Sequence, residues 1–534
     1  MVDLIREKVF KIPAAIIGGD ENDAATAVFC RKVLFWTLLI WSVVWFAAPA
    51  LCIKGLFFDV VENLEWGRYY QFGYDKHPFV SMWISRFVYD LTGSAGWPLY
   101  LLCNISIVLA VVCVWRVALK FLSPLRALAA ALLLLTLQYF SSWALEFNND
   151  VIAISVWAAA VLFFHRALTA QRLADWLLTA LFCALAMLTK YYAAVLLAAF
   201  ALVVLFTPEG RRSFARPGLY AAAALFILLV LPNVVWLFEH DFSPFLYAEH
   251  GARLDEEPSG FWLPRLIGFL DMCGGVVQRC ALLMVVFALF FVKPAKRNGE
   301  PPARFERFFI FNMAFTPLLL TFLIPIISGG MVKDSWLASC FNFVPVYLFM
   351  ALNPAVSRAR IKWLLAALTA VCAIYLGSFV HSKLYKNPYS NKGVRCPYEA
   401  YPGREIAGRL DGLWRGLFGT PPKYVIGSRY TGAFYAFYGE GKPHAFYMAD
   451  TSASNWIDPA AVKRDGALIV WEITPKRKST MDLPEWLDNL GEDRERVERL
   501  PDLEFERLSY GFTRGSGSPR PVIIGVALLP PEND

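Results

Sequence analysis

The feature that most constrains this chain is a series of apolar runs, each long enough to cross a lipid bilayer. Residues 33–54 contain no acid and carry a charge only at Lys54. About 20 apolar residues in a helix span the hydrocarbon core of roughly 30 Å. Similar runs recur along the chain, which predicts a polytopic α-helical membrane protein with about eleven transmembrane helices. The further runs are residues 96–119, 127–142, 151–168, 174–189, 192–207, 217–237, 265–292, 307–328, 336–352 and 362–380.

The composition agrees with this fold class and argues against others. Hydrophobic residues make up 57% of the 534 residues, far above the range of soluble proteins. The N-terminal segment lacks the apolar core and cleavage site of a signal peptide, so the first span is expected to stay in the mature protein. Only Cys396 of the 10 cysteines lies beyond the spans, which is typical of membrane packing and not of a disulfide framework. Basic residues beside the spans explain the net charge of +7, so no nucleic-acid partner is predicted.

Basic residues in alternate loops predict the orientation of the spans, because Lys and Arg in short loops resist translocation. The segment 1–32 carries several of them and is predicted to be cytoplasmic. Acidic residues collect instead in the loops that alternate with the basic ones, so these loops are predicted to lie on the outer face, as is the C-terminal part. The acidic loops are residues 55–95, 143–150, 238–264 and 329–335.

From residue 381 to residue 534 the composition is that of a small soluble α/β domain on the outer face. This segment has no nucleotide-binding loop, no Ser/His/Asp order and no metal-ligand spacing. We therefore expect a domain that packs over or gates the outer face and contributes no proton-transfer group. The predicted strands are Lys423–Ile426, Ala445–Met448, Ala467–Trp471 and Val522–Leu528, and the predicted helices are Arg404–Leu417 and Pro459–Arg464.

The first outer loop, residues 55–95, is the most informative segment of the chain. Asp59, Glu62, Asn63 and Trp66 recur at helical spacing, which predicts one polar face on a helix lying on the membrane. A carboxylate directly after an apolar span lies where the low dielectric raises its basicity. The alternative is an ordinary interfacial helix with solvated acids, and for Glu65 this alternative is favoured.

Four motifs resemble those of bacterial glycosyltransferase family 39, in the GT-C superfamily of membrane enzymes. This superfamily includes the protein O-mannosyltransferases and the aminoarabinose lipid A transferases. The resemblance covers the membrane half well and the C-terminal domain only loosely. The motifs are Asp59 with Trp66-Gly67 and Gly73-Tyr74-Asp75-Lys76-His77-Pro78; Leu145-Glu146-Phe147-Asn148-Asn149-Asp150; Leu188-Thr189-Lys190-Tyr191; and Pro232-Asn233-Val234-Val235-Trp236 with Glu239-His240-Asp241-Phe242.

The resemblance implies a transfer of sugar from a polyprenyl-phosphate donor to an acceptor on the outer face. The acceptor class stays open between lipid A or another envelope glycan, a membrane lipid and a protein. A bacterial inner-membrane location follows from the same resemblance, with the active site and the C-terminal domain in the periplasm. The departing phosphate needs cations and the acceptor hydroxyl needs a carboxylate, and the motifs supply both.

The resemblance also implies roles for individual residues, and two departures from the family pattern. Phe79 stands at the usual second Pro, and Lys76 stands where many relatives carry an acid, a role that Asp75 can take one position earlier. Catalysis is implied for Asp59 as general base, with Asp150 and Glu62; donor-phosphate binding for Lys190, Lys76, His77 and Tyr191; and substrate binding for Asp75, Glu146, Asn149, Trp66, Tyr74 and Asp241.

Several alternatives remain open at this point. Asp150 can serve as an N-cap of the fourth span, and Lys190 can extend its side chain outward to the membrane interface. No cofactor is certain: a divalent cation between Asp59, Glu62 and Asp150 is neither required nor excluded by the spacing. For the whole protein the main alternative is a transporter or flippase of a lipid-linked substrate. The spans hold few acids and the polar groups crowd one face, which favours an enzyme.

Overall fold

The structure, a computed structural model, describes residues 21–251, 263–291, 303–328, 332–384, 398–473, 483–508 and 521–532. Most of the predicted cytoplasmic segment 1–32 lies outside these ranges, as does Cys396. The chain divides into two compact units. Unit 1 comprises Met1–Ala48, Tyr100–Glu239 and Phe245–Gly377; unit 2 comprises Pro49–Leu99, His240–Pro244 and Ser378–Asp534. The predicted domain boundaries at residues 32 and 380 stay a prediction.

Apolar helices make up most of unit 1, and the protein is a multi-pass membrane protein. In the described ranges, 8 helices are long and apolar enough to cross a bilayer, and a pair bent by 84° is a ninth candidate. The predicted total of eleven is not established by this count and stays a prediction. The spans are Ala24–Cys52, Trp97–Ala118, Asn149–Ala170, Pro217–Glu239, Arg265–Leu289, Arg304–Ile327, Asp334–Leu352 and Arg358–Lys383; the bent pair is Tyr191–Phe206 with Pro208–Ala215; shorter apolar helices are Pro124–Thr136 and Leu173–Thr189.

Two interruptions in these helices position polar groups. The helix Pro124–Leu133 passes into 3₁₀ turns at Leu134–Thr136 and Gln138–Phe140, and Leu137 between them has extended backbone. The helix Leu173–Thr189 ends at Lys190, whose extended backbone separates it from a 3₁₀ turn and the helix Ala194–Phe206. A long 3₁₀ helix, Asp334–Phe343, precedes the α-helix Val344–Leu352. Such interruptions expose backbone and side-chain polar groups at membrane depth, where protein or water must surround them.

Unit 2 contains a 5-stranded sheet with the order β2-β1-β3-β5-β4. Strand β1 pairs parallel with β2 and β3, while β5 pairs antiparallel with β3 and β4. The helices Gly403–Phe418 and Arg429–Tyr438 pack beside it, and aromatic side chains fill the core between these elements. The strands are β1 (Tyr424–Gly427), β2 (His444–Tyr447), β3 (Ala467–Ile473), β4 (Glu498–Phe505) and β5 (Val522–Leu529), and a short helix covers Pro459–Asp465.

The sequence predictions for the C-terminal domain are confirmed for four strands and two helices, within a few residues at each end. One α-helix, one strand and two 3₁₀ helices, Tyr398–Ala400 and Glu485–Arg496, were missed. The helix Arg429–Tyr438 is rich in aromatic residues, which have modest helix propensity, and it forms because most of it is buried. Strand β4 contains a Pro and several charges, which suit its place at the edge of the sheet.

The segment 55–95, predicted to be the first outer loop, folds as part of unit 2. The predicted helix is confirmed at Phe58–Gly67, and a second helix covers Val80–Thr92. A Cβ on Gly67 would come 2.6 Å from the backbone oxygen of Met82, so only glycine allows these helices to approach so closely. The helix Arg429–Tyr438 of the C-terminal domain packs against the helix Phe58–Gly67.

The prediction that Glu65 is a solvated interfacial acid is wrong. Residues from Val60 to Gly67 are all buried, and Glu65 is 1% exposed. Arg68 Nη1 donates to both of its carboxylate oxygens at 3.0 Å. Spacing within one segment cannot reveal a domain that covers it from a distant part of the chain.

Candidate active site

A lysine–carboxylate pair in unit 1 joins two of the sequence motifs. Lys190 Nζ lies 2.5 Å from Asp150 Oδ1, and both side chains keep a small exposed surface. Asn148, and not Asp150, caps the helix Asn149–Ala170, since its side chain accepts a hydrogen bond from the Val151 backbone N–H. Asp150 in the first helical turn is therefore available for Lys190. The helix N-terminus also favours its negative charge.

The backbone around Lys190 explains its position. Lys190 terminates the helix Leu173–Thr189 with φ −158° and ψ 124°, while its backbone N–H still bonds to Ala186 O. Its ammonium group lies 4.6 Å from the centre of the Trp336 ring, which favours a cation. Its side chain is 10% exposed and paired with Asp150, and the alternative that it extends outward to the membrane interface stays a prediction.

Aromatic residues of three elements lie around this pair. The Tyr192 ring stacks on Trp157 and lies 5.9 Å from Trp336. Its hydroxyl group hydrogen-bonds with Thr321 Oγ1 and contacts Cys340 Sγ. The hydroxyl of the neighbouring Tyr191 accepts a hydrogen bond from Asn233 instead. This hydrogen bond joins the third and fourth sequence motifs. The result is an apolar surround in which charges interact strongly.

A second cation–carboxylate pair in unit 1 was missed by the sequence analysis. Arg279 Nε donates to Asp334 Oδ2, and Arg279 Nη1 lies 3.4 Å from Gln138 Oε1. Asp334 begins the 3₁₀ helix that carries Trp336, and its backbone oxygen accepts a 2.6 Å hydrogen bond from the Tyr139 hydroxyl. The available signal was an arginine within the apolar run 265–292, because ionisable residues inside spans mark functional sites.

In unit 2 the sequence-predicted acids of the first loop form a separate cluster. Lys76 Nζ donates to Glu62 Oε2 at 2.8 Å, and Glu62 is 3% exposed. Its other oxygen, Oε1, has no hydrogen-bond partner among the described residues. Burial raises the pKa of Glu62, Lys76 opposes this shift, and the nearby charge of Asp59 adds to it. Burial therefore disfavours the ionised form of Glu62, and its predicted catalytic role stays a prediction.

Asp75, predicted to bind substrate, is held by the C-terminal domain. Both Nη atoms of Arg429 bond to the two carboxylate oxygens of Asp75, and Asp75 is nearly buried. Burial raises the pKa of Asp75, and the hydrogen bonds and charge of Arg429 oppose this. A bidentate ion pair of this kind fixes the loop to the domain. The helix that supplies Arg429 was missed, so this partner could not be predicted.

Two other predicted substrate-binding residues lie in the core of unit 2. Trp66 and Tyr74 are each 0% exposed, and their rings stack on each other. Trp66 Nε1 donates to the Tyr447 hydroxyl at 3.2 Å. The backbone oxygen of His77 accepts from Tyr74 N–H, so His77 closes the turn of this motif. These placements describe packing within the unit, and the predicted binding roles stay predictions.

The remaining predicted residues are dispersed. Glu146 is partly buried in the segment before the helix Asn149–Ala170. Asn149 is buried, and its side-chain oxygen has no hydrogen-bond partner in the described chain. Asp241 is exposed at a turn in unit 2, with φ +50°. No three His, Cys, Asp or Glu side chains in the described ranges form a metal-binding group. Because Asp150 belongs to unit 1 while Asp59 and Glu62 belong to unit 2, the cation considered from the sequence stays a prediction.

Comparison with known proteins identifies the class of this constellation. The family model of dolichyl-phosphate-mannose-protein mannosyltransferases matches residues 76–236, the part that holds Lys76, Asp150 and Lys190. The chain is 25% identical over 489 residues to the lipopolysaccharide core galacturonosyltransferase RgtB of Rhizobium johnstonii, which covers 86% of this chain and 90% of RgtB. The protein is a membrane glycosyltransferase similar to enzymes of the GT-C class.

Further comparisons agree with this class. The lipid A galacturonosyltransferase RgtD of the same organism is 26% identical over 235 residues, or 44% of this chain and 49% of RgtD. The fold of the glycosyltransferase is similar to that of ArnT from Cupriavidus metallidurans, solved with bound undecaprenyl phosphate. The TM-score is 0.54 at 15% identity, over 92% of this chain and 97% of ArnT. The resemblance to the GT-C superfamily drawn from the sequence motifs is thus confirmed.

Proposed function

We propose that this glycosyltransferase transfers a uronic acid sugar from a polyprenyl-phosphate donor to the core or lipid A part of lipopolysaccharide. The sugar and the acceptor are suggested by the names of RgtB and RgtD, and the lipid phosphate by the ligand of ArnT. The reaction would take place on the periplasmic face of a bacterial inner membrane, as the charges of the loops predict.

The observation that carries this proposal is the Asp150–Lys190 pair at an interrupted helix. A lysine within an apolar segment costs about 2.5–3.5 kcal/mol at the centre of a membrane. Its retention beside an aromatic surround fits a site that receives an anion. A lipid phosphate is such an anion, and it gains negative charge as the sugar departs. A cation held in a poorly hydrated place stabilises that charge most effectively.

The chemistry follows from the groups that must change charge. An acceptor hydroxyl attacks the anomeric carbon, the bond from that carbon to the phosphate oxygen breaks, and the polyprenyl phosphate leaves with the electron pair. The hydroxyl proton passes to a carboxylate. Asp59 is the base predicted from the sequence, and Asp150 is the carboxylate nearest to Lys190. Lys190 would balance the charge of the departing phosphate.

The C-terminal domain is proposed to shape the acceptor side without taking part in proton transfer. Its helix Arg429–Tyr438 packs on the first loop, and Arg429 holds Asp75 there. Alanine substitution of exposed acids in this domain, such as Asp488 and Glu495, should leave turnover near that of the parent.

Lipid mass spectrometry of cells with and without the gene tests the proposal. Loss of one uronic acid from lipopolysaccharide in the deletion strain, restored by the parent gene and not by Lys190→Ala, would support it. Loss of a sugar from a protein instead would assign a protein acceptor, as in the matching mannosyltransferase family. The proposed reaction would be contradicted if the deletion changed neither the lipids nor the proteins and if no lipid-linked sugar accumulated on either face of the membrane.

A further inference from the structure

Arg279 has hydrogen-bonding capacity that its neighbours in the described chain do not use. A guanidinium group carries five N–H donors. Nε donates to Asp334 and Nη1 faces Gln138 Oε1, which leaves both hydrogens of Nη2 and one of Nη1 without a partner among the described residues. Arg279 is about one-fifth exposed and Asp334 about one-quarter. The pair is therefore accessible, and the remaining N–H groups of Nη1 and Nη2 are available for a further acceptor.

The surroundings hold the guanidinium in one orientation. Its carbon lies 5.2 Å from the centre of the Tyr139 ring and 5.9 Å from that of Trp143. The Tyr139 hydroxyl in turn bonds to the backbone of Asp334. Gly275, one helical turn before Arg279, gives Asp334 room, because a Cβ there would come 2.8 Å from Asp334 Cβ. The absence of a side chain at Gly275 thus leaves the space in which Arg279 of the same helix reaches Asp334.

We propose that Arg279 binds the carboxylate of the uronic acid carried by the donor. This inference rests on the proposed function and adds to it the residue that selects the sugar. Such a donor has two anionic groups, the phosphate and the sugar carboxylate. Two cations of unit 1 suit these groups: Lys190 lies beside Trp336, and Arg279 lies beside Asp334. Trp336 follows Asp334 by two residues in the same 3₁₀ helix.

The types of the two cations favour this assignment over the reverse one. A planar guanidinium matches a carboxylate with two parallel N–H···O bonds, while a lysine acts as a point charge toward phosphate. Asp334 fixes Nε and so directs the Nη edge away from itself. The partly exposed Trp143 offers an apolar face beside that edge, against which the C–H face of a sugar can pack. A neutral sugar would leave the open N–H groups unpaired, and a site built for hydrogen bonds rejects such a substrate.

The test uses the full-length purified protein with two donors that differ only at C6: polyprenyl-phosphate galacturonic acid and polyprenyl-phosphate galactose. The parent should prefer the uronic acid. Arg279→Gln should raise KM for that donor about 10- to 100-fold, the usual range for a lost charge-assisted hydrogen bond, and leave KM for galactose near that of the parent. Arg279→Lys keeps the charge but not the fork, so it should recover only part of the preference.

Two controls separate this role from others. Lys190→Ala should weaken both donors alike, since both contain the phosphate. Arg166→Gln removes another Arg–Asp pair of unit 1, with Asp175, and should leave the preference intact even where it lowers stability. Equal losses for both donors in Arg279→Gln would overturn the inference. A parent that uses both donors equally would overturn it too and leave the glycosyltransferase function standing. A parent that binds neither donor would contradict the proposed function itself.

Discussion

Two arginine–aspartate pairs, one in each unit, use the same residue types in different ways. In unit 2, both Nη atoms of Arg429 bond to the two oxygens of Asp75, whose side chain is 9% exposed. In unit 1, Arg279 reaches Asp334 through Nε, and Asp334 is 26% exposed. The first pair closes on itself and joins a loop to a domain, whereas the second keeps an open edge. The geometry of each pair, and not its residue types, therefore distinguishes the structural contact of Arg429 from the binding role proposed for Arg279.

The largest effect on activity is expected from variants that show which unit supplies the general base. Asp59→Asn, in unit 2, keeps the size of the side chain and removes its basicity, so kcat should fall about 10²- to 10⁴-fold. Asp150→Asn, in unit 1, should act mainly on KM for the donor, because it changes the partner of Lys190. Steady-state kinetics with saturating donor distinguishes them. A larger loss of kcat in Asp150→Asn would move the base to unit 1.

The two arginine–aspartate pairs should differ in stability. Arg429→Gln leaves a buried carboxylate without its partner and should lower the free energy of unfolding by about 3–5 kcal/mol. Arg279→Gln leaves a more exposed carboxylate and should cost clearly less, while lowering activity more. Thermal unfolding of both variants in the same detergent measures this. Equal destabilisation would remove the distinction between the pairs.

Adjacent glycines in one helix offer a sharper test of the unit 1 pair. A methyl group on Gly275 would contact Asp334, while nothing lies within 4 Å of the same position on Gly274. Gly275→Ala should displace Asp334 and cost about 1–3 kcal/mol, with a fall in donor affinity. Gly274→Ala should be neutral or stabilise the helix by up to about 1 kcal/mol. If both variants retain the donor affinity of the parent, the Asp334 position does not matter for binding.

The smallest effect concerns the pH dependence of unit 2. Burial raises the pKa of Glu62, so the folded state keeps a proton that the unfolded state has already lost. The free energy of unfolding should therefore fall as pH rises from the ordinary glutamate value, about 4.3, through the raised pKa. Glu62→Gln should reduce this slope, and unfolding midpoints measured from about pH 4 to pH 8 would show it. The slopes contributed by Glu65 and Asp75, whose pKa values burial also raises, should remain. An unchanged slope would contradict the assignment to Glu62.

The sequence predicted the class of fold well and the site only in part. Apolar length revealed the membrane helices, and alternation revealed four strands of the sheet, since both are local patterns. The Asp150–Lys190 pair joins two predicted motifs, but its geometry depends on the cap at Asn148 and the break at Lys190. Arg279, Asp334 and Arg429 could not be matched with their partners. Each contact joins residues at least 55 positions apart, which no local spacing records.

The most direct test of the account is the binding of undecaprenyl phosphate, without sugar, to the purified full-length protein. Lys190→Ala should lose about 10-fold or more in affinity, because a charge-assisted contact to the phosphate is removed. Arg429→Ala removes one positive charge from unit 2, and the folded variant should bind undecaprenyl phosphate like the parent. Arg86→Ala provides the same control at an exposed ion pair. Parent-like affinity in Lys190→Ala would show that Lys190 does not hold the lipid phosphate, and the proposed site in unit 1 would be wrong.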